Sequence, residues 1–364
     1  MKKITHIITE LNIGGAEKML YKLLQNIDRK KKHIEVISLQ DEGFYGPKIK
    51  KLGIKVHAIN MKRVPTLKNL LDIKKILKNT DIVQTWMYHA DFIGYLSTRF
   101  NKKQKLLWSI RRTNLNKEEN KKSTLIIAKL NSLFSKRVDT IISCSISAKQ
   151  SHIEYKYSEN NIIIIPNGFE MDKLFYNPIG KHNIRRKLGL EDKKVILNIG
   201  RWNIAKDHKN LIQAYRKIES NKTHLIMIGP GITNENKDLM KIIQENKLEN
   251  YSLLGPQFNI QDYLSAADIY VSASMSEGFP NVIGEAMACE LPCVVTNAGD
   301  SSYIVDNTGI VVPIKDSSKL AEAISKMLSF SYEKRRKLGA ISRKRIEENF
   351  DIKVVTKMFE KQYK

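Results

Sequence analysis

Short apolar blocks without polar alternation recur along the first half of the chain, at residues 4–9, 34–39, 54–59, 82–85, 106–110 and 140–144. Runs of that length, rich in isoleucine and valine, read as strands buried on both faces of a parallel sheet. Between them lie segments whose apolar positions return every three or four residues, at 18–27, 67–77, 90–100 and 124–134. That is the period of a helix with one buried face. The second half repeats the scheme, with strand-like blocks at 195–199, 224–228, 269–272, 293–296 and 309–312 and helical stretches at 261–267 and after residue 281. So many parallel strands exceed one comfortable sheet, and the pattern predicts an α/β chain of two doubly wound, Rossmann-like domains.

The break between the domains is expected at Ile165-Pro166-Asn167-Gly168-Phe169, where a strand runs into a turn signal. This gives domains of residues 1–166 and 167–345 and a helical tail over 346–364 with an apolar stripe. The longest apolar runs fall far short of the ~20 residues of a membrane helix. No apolar segment with a cleavage site follows Met1-Lys2-Lys3, so a cytoplasmic location is expected. Cys144, Cys289 and Cys293 are too few for a disulfide framework, and the last two lack the second pair of a structural zinc site.

Charge changes the picture. The net charge of +24 is unevenly spread: residues 1–165 hold 32 basic and 14 acidic side chains, the remainder 30 and 24. A lysine-rich coding bias explains an excess but not its asymmetry, which points to a polyanionic partner of the first domain. The spacing of a zinc finger, an RNP-like aromatic string and a recognition-helix pattern are all missing, which argues against nucleic acid. An anionic membrane surface is the expected partner. Lys62, Arg63, Arg111 and Arg112 are the candidate contributors, with 29–32, 102–105 and 121–122 beside them. The segment 124–134 is expected to lay its apolar face on the sheet and leave its lysines solvated.

In parallel sheets ligands bind beyond the carboxyl ends of the strands, so the loops after the strands are where chemistry is sought. Leu11-Asn12-Ile13-Gly14-Gly15-Ala16-Glu17 leads into a helix; its glycines permit close backbone approach and its free N–H groups suit an anion, although the same pattern serves as a plain helix-leading turn. Gly200-Arg201-Trp202-Asn203-Ile204-Ala205-Lys206 sets a guanidinium and an ammonium five residues apart, a pairing fitted to a diphosphate or else a solvated surface pair. Ser276-Glu277-Gly278-Phe279-Pro280-Asn281-Val282-Ile283-Gly284-Glu285 brackets a tight turn with two carboxylates. Glu277 lies in the loop and Glu285 a turn into the helix, while the amides near Asn281 and Val282 can hold phosphate oxygens. Paired acids also serve glycosidases, but there they come from separate elements flanking the scissile bond.

These loops resemble those of family 4 retaining glycosyltransferases of the GT-B fold, of the type that builds bacterial surface glycans on lipid carriers. The Glu-x7-Glu of Glu277 and Glu285 carries the resemblance most specifically. It extends to Gly14 to Glu17, to Thr85-Trp86-Met87-Tyr88-His89-Ala90, to Pro166-Asn167-Gly168, to Arg201 with Lys206 and to Gly229 with Gly231. It implies two Rossmann-like domains facing each other across a cleft, an acceptor-binding first and a nucleotide-binding second, with the tail packing back on the first. It further implies that Glu277 holds the donor-sugar hydroxyls together with Gly278, Phe279 and Pro280, and that Glu285 holds the ribose. Arg201 and Lys206 would neutralise the diphosphate, helped by amides of Gly15, Asn281 and Val282. Gly229 would line the donor site, and residues 255–258, ending in Phe258, the base pocket. A lone histidine is ordinarily structural; only the resemblance gives His89 a place under the donor sugar near the acceptor.

The activity so implied is transfer of a hexose or N-acetylhexosamine from a nucleotide sugar, UDP before GDP, to a polyprenyl-diphosphate-linked glycan, with an α-linked product. The enzyme would be peripheral on the inner face of the cytoplasmic membrane. The chain has no Asp-x-Asp triplet, so no metal cofactor is expected. A nucleotide-sugar epimerase shares the fold and is the alternative.

Overall fold

The computed structural model describes every residue except 63, 64, 102, 114 and 116–119. The chain forms two compact units, Met1–Gly168 with Ile352–Lys364, and Phe169–Asp351. The first division therefore falls two residues beyond the expected 166/167. The second falls at 351/352 rather than 345/346.

In the first unit the strands are β1 (Lys2–Ile8), β2 (Lys32–Ser38), β3 (Lys55–Ala58), β4 (Ile82–Trp86), β5 (Lys105–Ile110), β6 (Thr140–Ser143) and β7 (Ile162–Ile164). They make one parallel sheet in the order β3-β2-β1-β4-β5-β6-β7. The connecting helices are α1 (Gly15–Asn26), α2 (Gly46–Lys51), α3 (Leu67–Leu77), α4 (Tyr88–Thr98), α5 (Lys122–Phe134) and α6 (Ile146–Glu154). Both faces of the sheet are buried. One core gathers Ile4, Leu20, Val36 and Trp86 with residues of the C-terminal tail; the other gathers Ile7, Ile37, Val83 and Trp108 under α3 and α4.

The second unit contains α7 (Pro178–Leu188), β8 (Lys194–Ile199), α8 (His208–Arg216), β9 (Thr223–Ile228), α9 (Lys237–Glu245), β10 (Tyr251–Leu253), α10 (Ile260–Ala266), β11 (Ile269–Ser272) and α11 (Asn281–Ala288). It continues with β12 (Cys293–Thr296), α12 (Ser301–Val305), β13 (Ile310–Val312), α13 (Ser317–Ser329) and α14 (Tyr332–Phe350). The sheet is again parallel, in the order β10-β9-β8-β11-β12-β13. The chain reverses direction of winding between β1 and β4 in one unit and between β8 and β11 in the other. At such a point adjacent crossovers leave on opposite faces and open a crevice beyond the strand ends.

The tail is two helices, α14 and α15 (Ile352–Gln362), broken at Asp351. Phe169 N–H donates to Phe350 O at 2.8 Å beside a parallel bridge to Asp351, so the second unit ends where it began. Helix α15 then belongs to the first unit, where Val355, Phe359 and Tyr363 enter the β1–β4 core. No helix among the described residues is long and apolar enough to cross a membrane.

Helix α5 differs from expectation. Of its thirteen residues only Ala128, Asn131 and Ser132 are buried. Ile126 is 61 % and Leu133 65 % exposed, and Lys122, Lys129 and Lys136 are exposed as well. Positions 122, 126, 129 and 133 are spaced by four and three residues and so share one face of α5, with Lys136 in the turn that follows. The segment turns its small and polar side inward because α4 lies close against it. The apolar period there marks an outward stripe of alternating lysine and large apolar side chains.

Candidate active site

At the winding reversal of the second unit, the loops after β8 and β11 are hydrogen-bonded to each other. The carbonyl of Ala205 accepts from Met275 N–H at 2.9 Å and Ser276 N–H at 3.3 Å. This brings Lys206 and Glu277 together: Nζ lies 2.5 Å from Oε1, and the same oxygen accepts from Ser274 Oγ at 2.7 Å. Thr296 Oγ1 donates to the Ser274 carbonyl at 2.5 Å and so fixes the residue that fixes Glu277. The result is a carboxylate and an ammonium, both mostly shielded, held beyond the carboxyl ends of the two central strands.

Two glycines are required by close backbone approach. A Cβ on Gly229 (φ 149°) would stand 2.1 Å from the Gly200 carbonyl oxygen, just beyond the paired ends of β8 and β9. A Cβ on Gly299 (φ 56°) would stand 2.2 Å from the Glu277 carbonyl oxygen, and the next residue, Asp300, donates its N–H to Gly278 O at 3.0 Å. Gly229 thus acts as a spacer that lets the Arg201 loop sit against β9, and Gly299 does the same for the Glu277 turn.

Arg201 is exposed in the same loop, and Trp202 behind it stacks on the buried His208 with ring centres 5.3 Å apart. Burial, with Lys206 nearby, pushes the His208 imidazole down to about 4, so it is neutral at physiological pH. Phe279 is buried against Phe169 and Phe350, and Pro280 leads directly into α11. Asn281 and Val282 are the first residues of α11, and the backbone N–H groups at the start of a helix suit an anion. Glu285, half-buried, follows one turn later. Phe258 departs from expectation: its ring is fully exposed. Gln257 is turned inward instead, donating to Leu254 O and accepting from Tyr263 Oη at 3.0 Å, which directs Phe258 outward.

In the first unit, Gly15 opens α1 after β1, and a Cβ there would meet nothing within 4 Å. His89 lies in the first turn of α4, after β4, half-buried; burial first, then Lys121, holds its imidazole below the usual histidine range. Both follow the strands that flank this unit's winding reversal. Of the four basic residues assigned to acceptor or membrane, Lys62 and Arg112 are exposed, and Arg112 Nη1 donates to Asn120 Oδ1 at 2.6 Å. Arg63 lies outside the described residues.

Arg111 is a correction. Its guanidinium is enclosed between the Trp86 and Phe359 rings, 5.2 and 5.3 Å from their centres. Nη1 donates to Ile165 O and Asn167 Oδ1, both at 3.2 Å, and the surroundings draw its pKa down to about 10. The sequence showed an Arg-Arg pair; the fold buries the first under the tail helix and exposes the second. Sequence reasoning also missed Ser274, Thr296 and Gly299. Ser274 and Thr296 stand at the carboxyl ends of β11 and β12, which is the signal by which they were accessible. Among the described residues no three His, Cys, Asp or Glu side chains are grouped to hold a metal ion.

Two parallel sheets with these loops at their winding reversals define a glycosyltransferase of the GT-B architecture. Residues 13–173 match the domain "Glycosyltransferase Family 4" and residues 180–345 the domain "Glycosyl transferases group 1", and the chain belongs to this glycosyltransferase family. It is 26 % identical over 349 residues, 90 % of each chain, to N-acetylgalactosamine-N,N'-diacetylbacillosaminyl-diphospho-undecaprenol 4-alpha-N-acetylgalactosaminyltransferase of Campylobacter jejuni. It is 24 % identical over 277 residues, 73 % of this chain and 71 % of the relative, to UDP-Gal:alpha-D-GlcNAc-diphosphoundecaprenol alpha-1,3-galactosyltransferase of Escherichia coli. The fold is that of Anabaena HepE crystallised with UDP, at TM-score 0.85 and 21 % identity over 100 % of this chain and 99 % of that one. A glycosyltransferase from Rickettsia africae matches equally, at TM-score 0.85 and 20 % identity over 100 % and 98 %.

Proposed function

We propose that the protein is a retaining glycosyltransferase that moves a hexose or N-acetylhexosamine from a UDP-sugar to an undecaprenyl-diphosphate-linked glycan, forming an α-linkage. The observation that carries this reading is the Lys206–Glu277 pair backed by Ser274 at the β8/β11 reversal. An ammonium there is suited to the charge that develops on a departing diphosphate, and a carboxylate to the hydroxyls of the sugar it leaves. Arg201 supplies a second cation, so the diphosphate is neutralised by side chains and the N–H groups of Asn281 and Val282 rather than by a divalent ion. Glu285 takes the ribose. The acceptor hydroxyl attacks C1 from the face the diphosphate is leaving; the C1–O bond to phosphate breaks, and the acceptor proton passes to the departing phosphate oxygen. His89 and Gly15 are assigned parts in this step by the family resemblance alone.

The acceptor assignment is supported by the relatives in C. jejuni and E. coli, whose names specify diphospho-undecaprenol acceptors and α-linkages. UDP is favoured by the Anabaena HepE complex. Attachment to the inner membrane face is supported by the +18 charge of residues 1–165 and by the Lys122, Ile126, Lys129, Leu133 stripe of α5. Exposed isoleucine and leucine between lysines give both apolar insertion and attraction to anionic lipid. Calorimetry with UDP and GDP, followed by a screen of UDP-sugars against a polyprenyl-diphosphate glycan, tests the assignment. Binding of UDP and acceptor-dependent consumption of one UDP-hexose or UDP-N-acetylhexosamine is expected. Tighter binding of GDP would overturn the base, and UDP release that ignores the acceptor would overturn the transferase.

A further inference from the structure

The turn that carries His89 is held in a strained shape by side chains that nothing in the transfer chemistry calls for. Met87, between β4 and α4, is a non-glycine residue in the left-handed region at φ 73°. Such a backbone is costly and persists only where its surroundings over-determine it. Here they do. Met87 N–H donates to Ser109 O at 3.0 Å, and its carbonyl accepts from Asp91 N–H at 2.9 Å. Asp91 is fully buried and accepts from the Thr85 hydroxyl.

Tyr88 anchors the turn furthest. Its carbonyl accepts from Asn131 Nδ2 of α5 at 2.9 Å, and its hydroxyl lies 2.9 Å from His152 Nε2 of α6. His152 Nδ1 lies 2.7 Å from the Ala148 carbonyl. A carbonyl only accepts, so Nδ1 carries the hydrogen, Nε2 is the bare acceptor, and the Tyr88 hydroxyl donates. Both rings are buried and stacked, with centres 5.8 Å apart and planes 22° apart. Burial draws the His152 imidazole down to about 4 and raises the Tyr88 phenol, which keeps this one donor–acceptor direction across the physiological range. An apolar pair of equal size would pack this interior with no polar group to satisfy. The chain Ala148 O–His152–Tyr88 is instead directional, and it ends on the residue immediately before His89.

We infer that Tyr88 and His152 are positioning residues for His89: the hydrogen-bonded pair fixes the orientation in which the first turn of α4 presents the imidazole to the reacting groups. This rests on the reading of His89 as part of the transfer site. Neither residue touches substrate; they act by removing alternative settings of the strained turn, and a small displacement of a catalytic group costs up to roughly 100-fold in rate.

The test is a double-mutant cycle on the full-length enzyme with its UDP-sugar and acceptor, using Tyr88→Phe, His89→Ala and the two together. Tyr88→Phe is expected to lower kcat about 10- to 100-fold, with KM for the acceptor and affinity for UDP changed less than about threefold. In the His89→Ala background it should cost nothing further, because the group it positions is gone. Tyr88→Phe leaves the buried His152 acceptor unpaired, so Tyr88→Phe/His152→Phe, which removes both partners, serves if the single variant fails to fold; the same loss of kcat is expected. Wild-type kcat in either variant, or an equal loss with and without His89, overturns the inference. Full activity of His89→Ala would instead remove the reading on which it rests.

Discussion

Among single residues, Lys206 carries the largest expectation. It pairs with Glu277, and the proposed reaction asks it to meet the diphosphate. Removing a donor of that kind costs about 10²–10³ in rate. Lys206→Ala and Arg201→Ala are each expected to lose that much in kcat, measured by UDP release, and near-normal rates would contradict their roles. Glu285→Ala should weaken UDP binding in calorimetry, whereas Glu277→Ala should spare UDP and impair sugar transfer. His89 offers a test by pH. Burial and Lys121 lower its pKa from the ordinary 6.5, so the imidazole is neutral at pH 7 and gains its proton only at more acid pH. An acidic limb of kcat due to His89 should have its midpoint below 6.5, and Lys121→Glu should move that midpoint upward. Where a post-strand loop and a specific spacing coincided, as at 201–206 and 277–285, the sequence pointed to two loops that the fold joins through Lys206 and Glu277. Residue-level reading failed for Arg111 and Phe258. Whether an exposed-looking cation slides between Trp86 and Phe359, or which of Gln257 and Phe258 turns inward, depends on partners far away in the chain or on a local hydrogen bond.

For elements, the apolar period located the strands wherever they were long, while the helices α7 and α13 were not singled out. Strand β10 escaped because Tyr251–Leu253 is three residues at a sheet edge, half-buried and without a run of branched side chains. The break at Asp351 escaped because the apolar stripe continues from Phe350 into α15 with no Gly or Pro to mark it. Helix α5 was found but turned the wrong way, since a period gives a face and not what the face meets. Its outward stripe is expected to bind membranes: the enzyme should float with anionic vesicles at low salt and be released as salt rises. Lys122→Glu/Lys129→Glu should weaken that binding by about fivefold per charge, at roughly 1 kcal/mol for each basic residue near anionic lipid. Unchanged flotation would remove α5 from the membrane. The loop before α12 makes a second prediction. Gly299→Ala forces a Cβ against the Glu277 carbonyl in a left-handed backbone, and should cost about 1–3 kcal/mol in stability together with most transfer activity. A variant with unchanged Tm and kcat would show that the turn yields freely.

At the level of the whole molecule, the parallel order of both sheets was legible from alternation alone, because short two-sided apolar blocks joined by helices leave few other topologies. Which strands flank the winding reversals was not, and it is this that makes the loops after β8 and β11 neighbours rather than two separate motifs. In the proposed reaction one chain with its own cations transfers a sugar to a lipid-linked glycan without a divalent ion and with retention. The most direct measurement is to incubate the purified enzyme, in EDTA, with its UDP-sugar and a synthetic undecaprenyl-diphosphate-linked glycan, and to read the product's anomeric centre by NMR. Acceptor-dependent UDP release and a single α-linked product are expected, at a rate that added manganese does not raise. A β-linked product, an epimerised sugar nucleotide without transfer, or activity restored only by a divalent metal would contradict the proposed reaction.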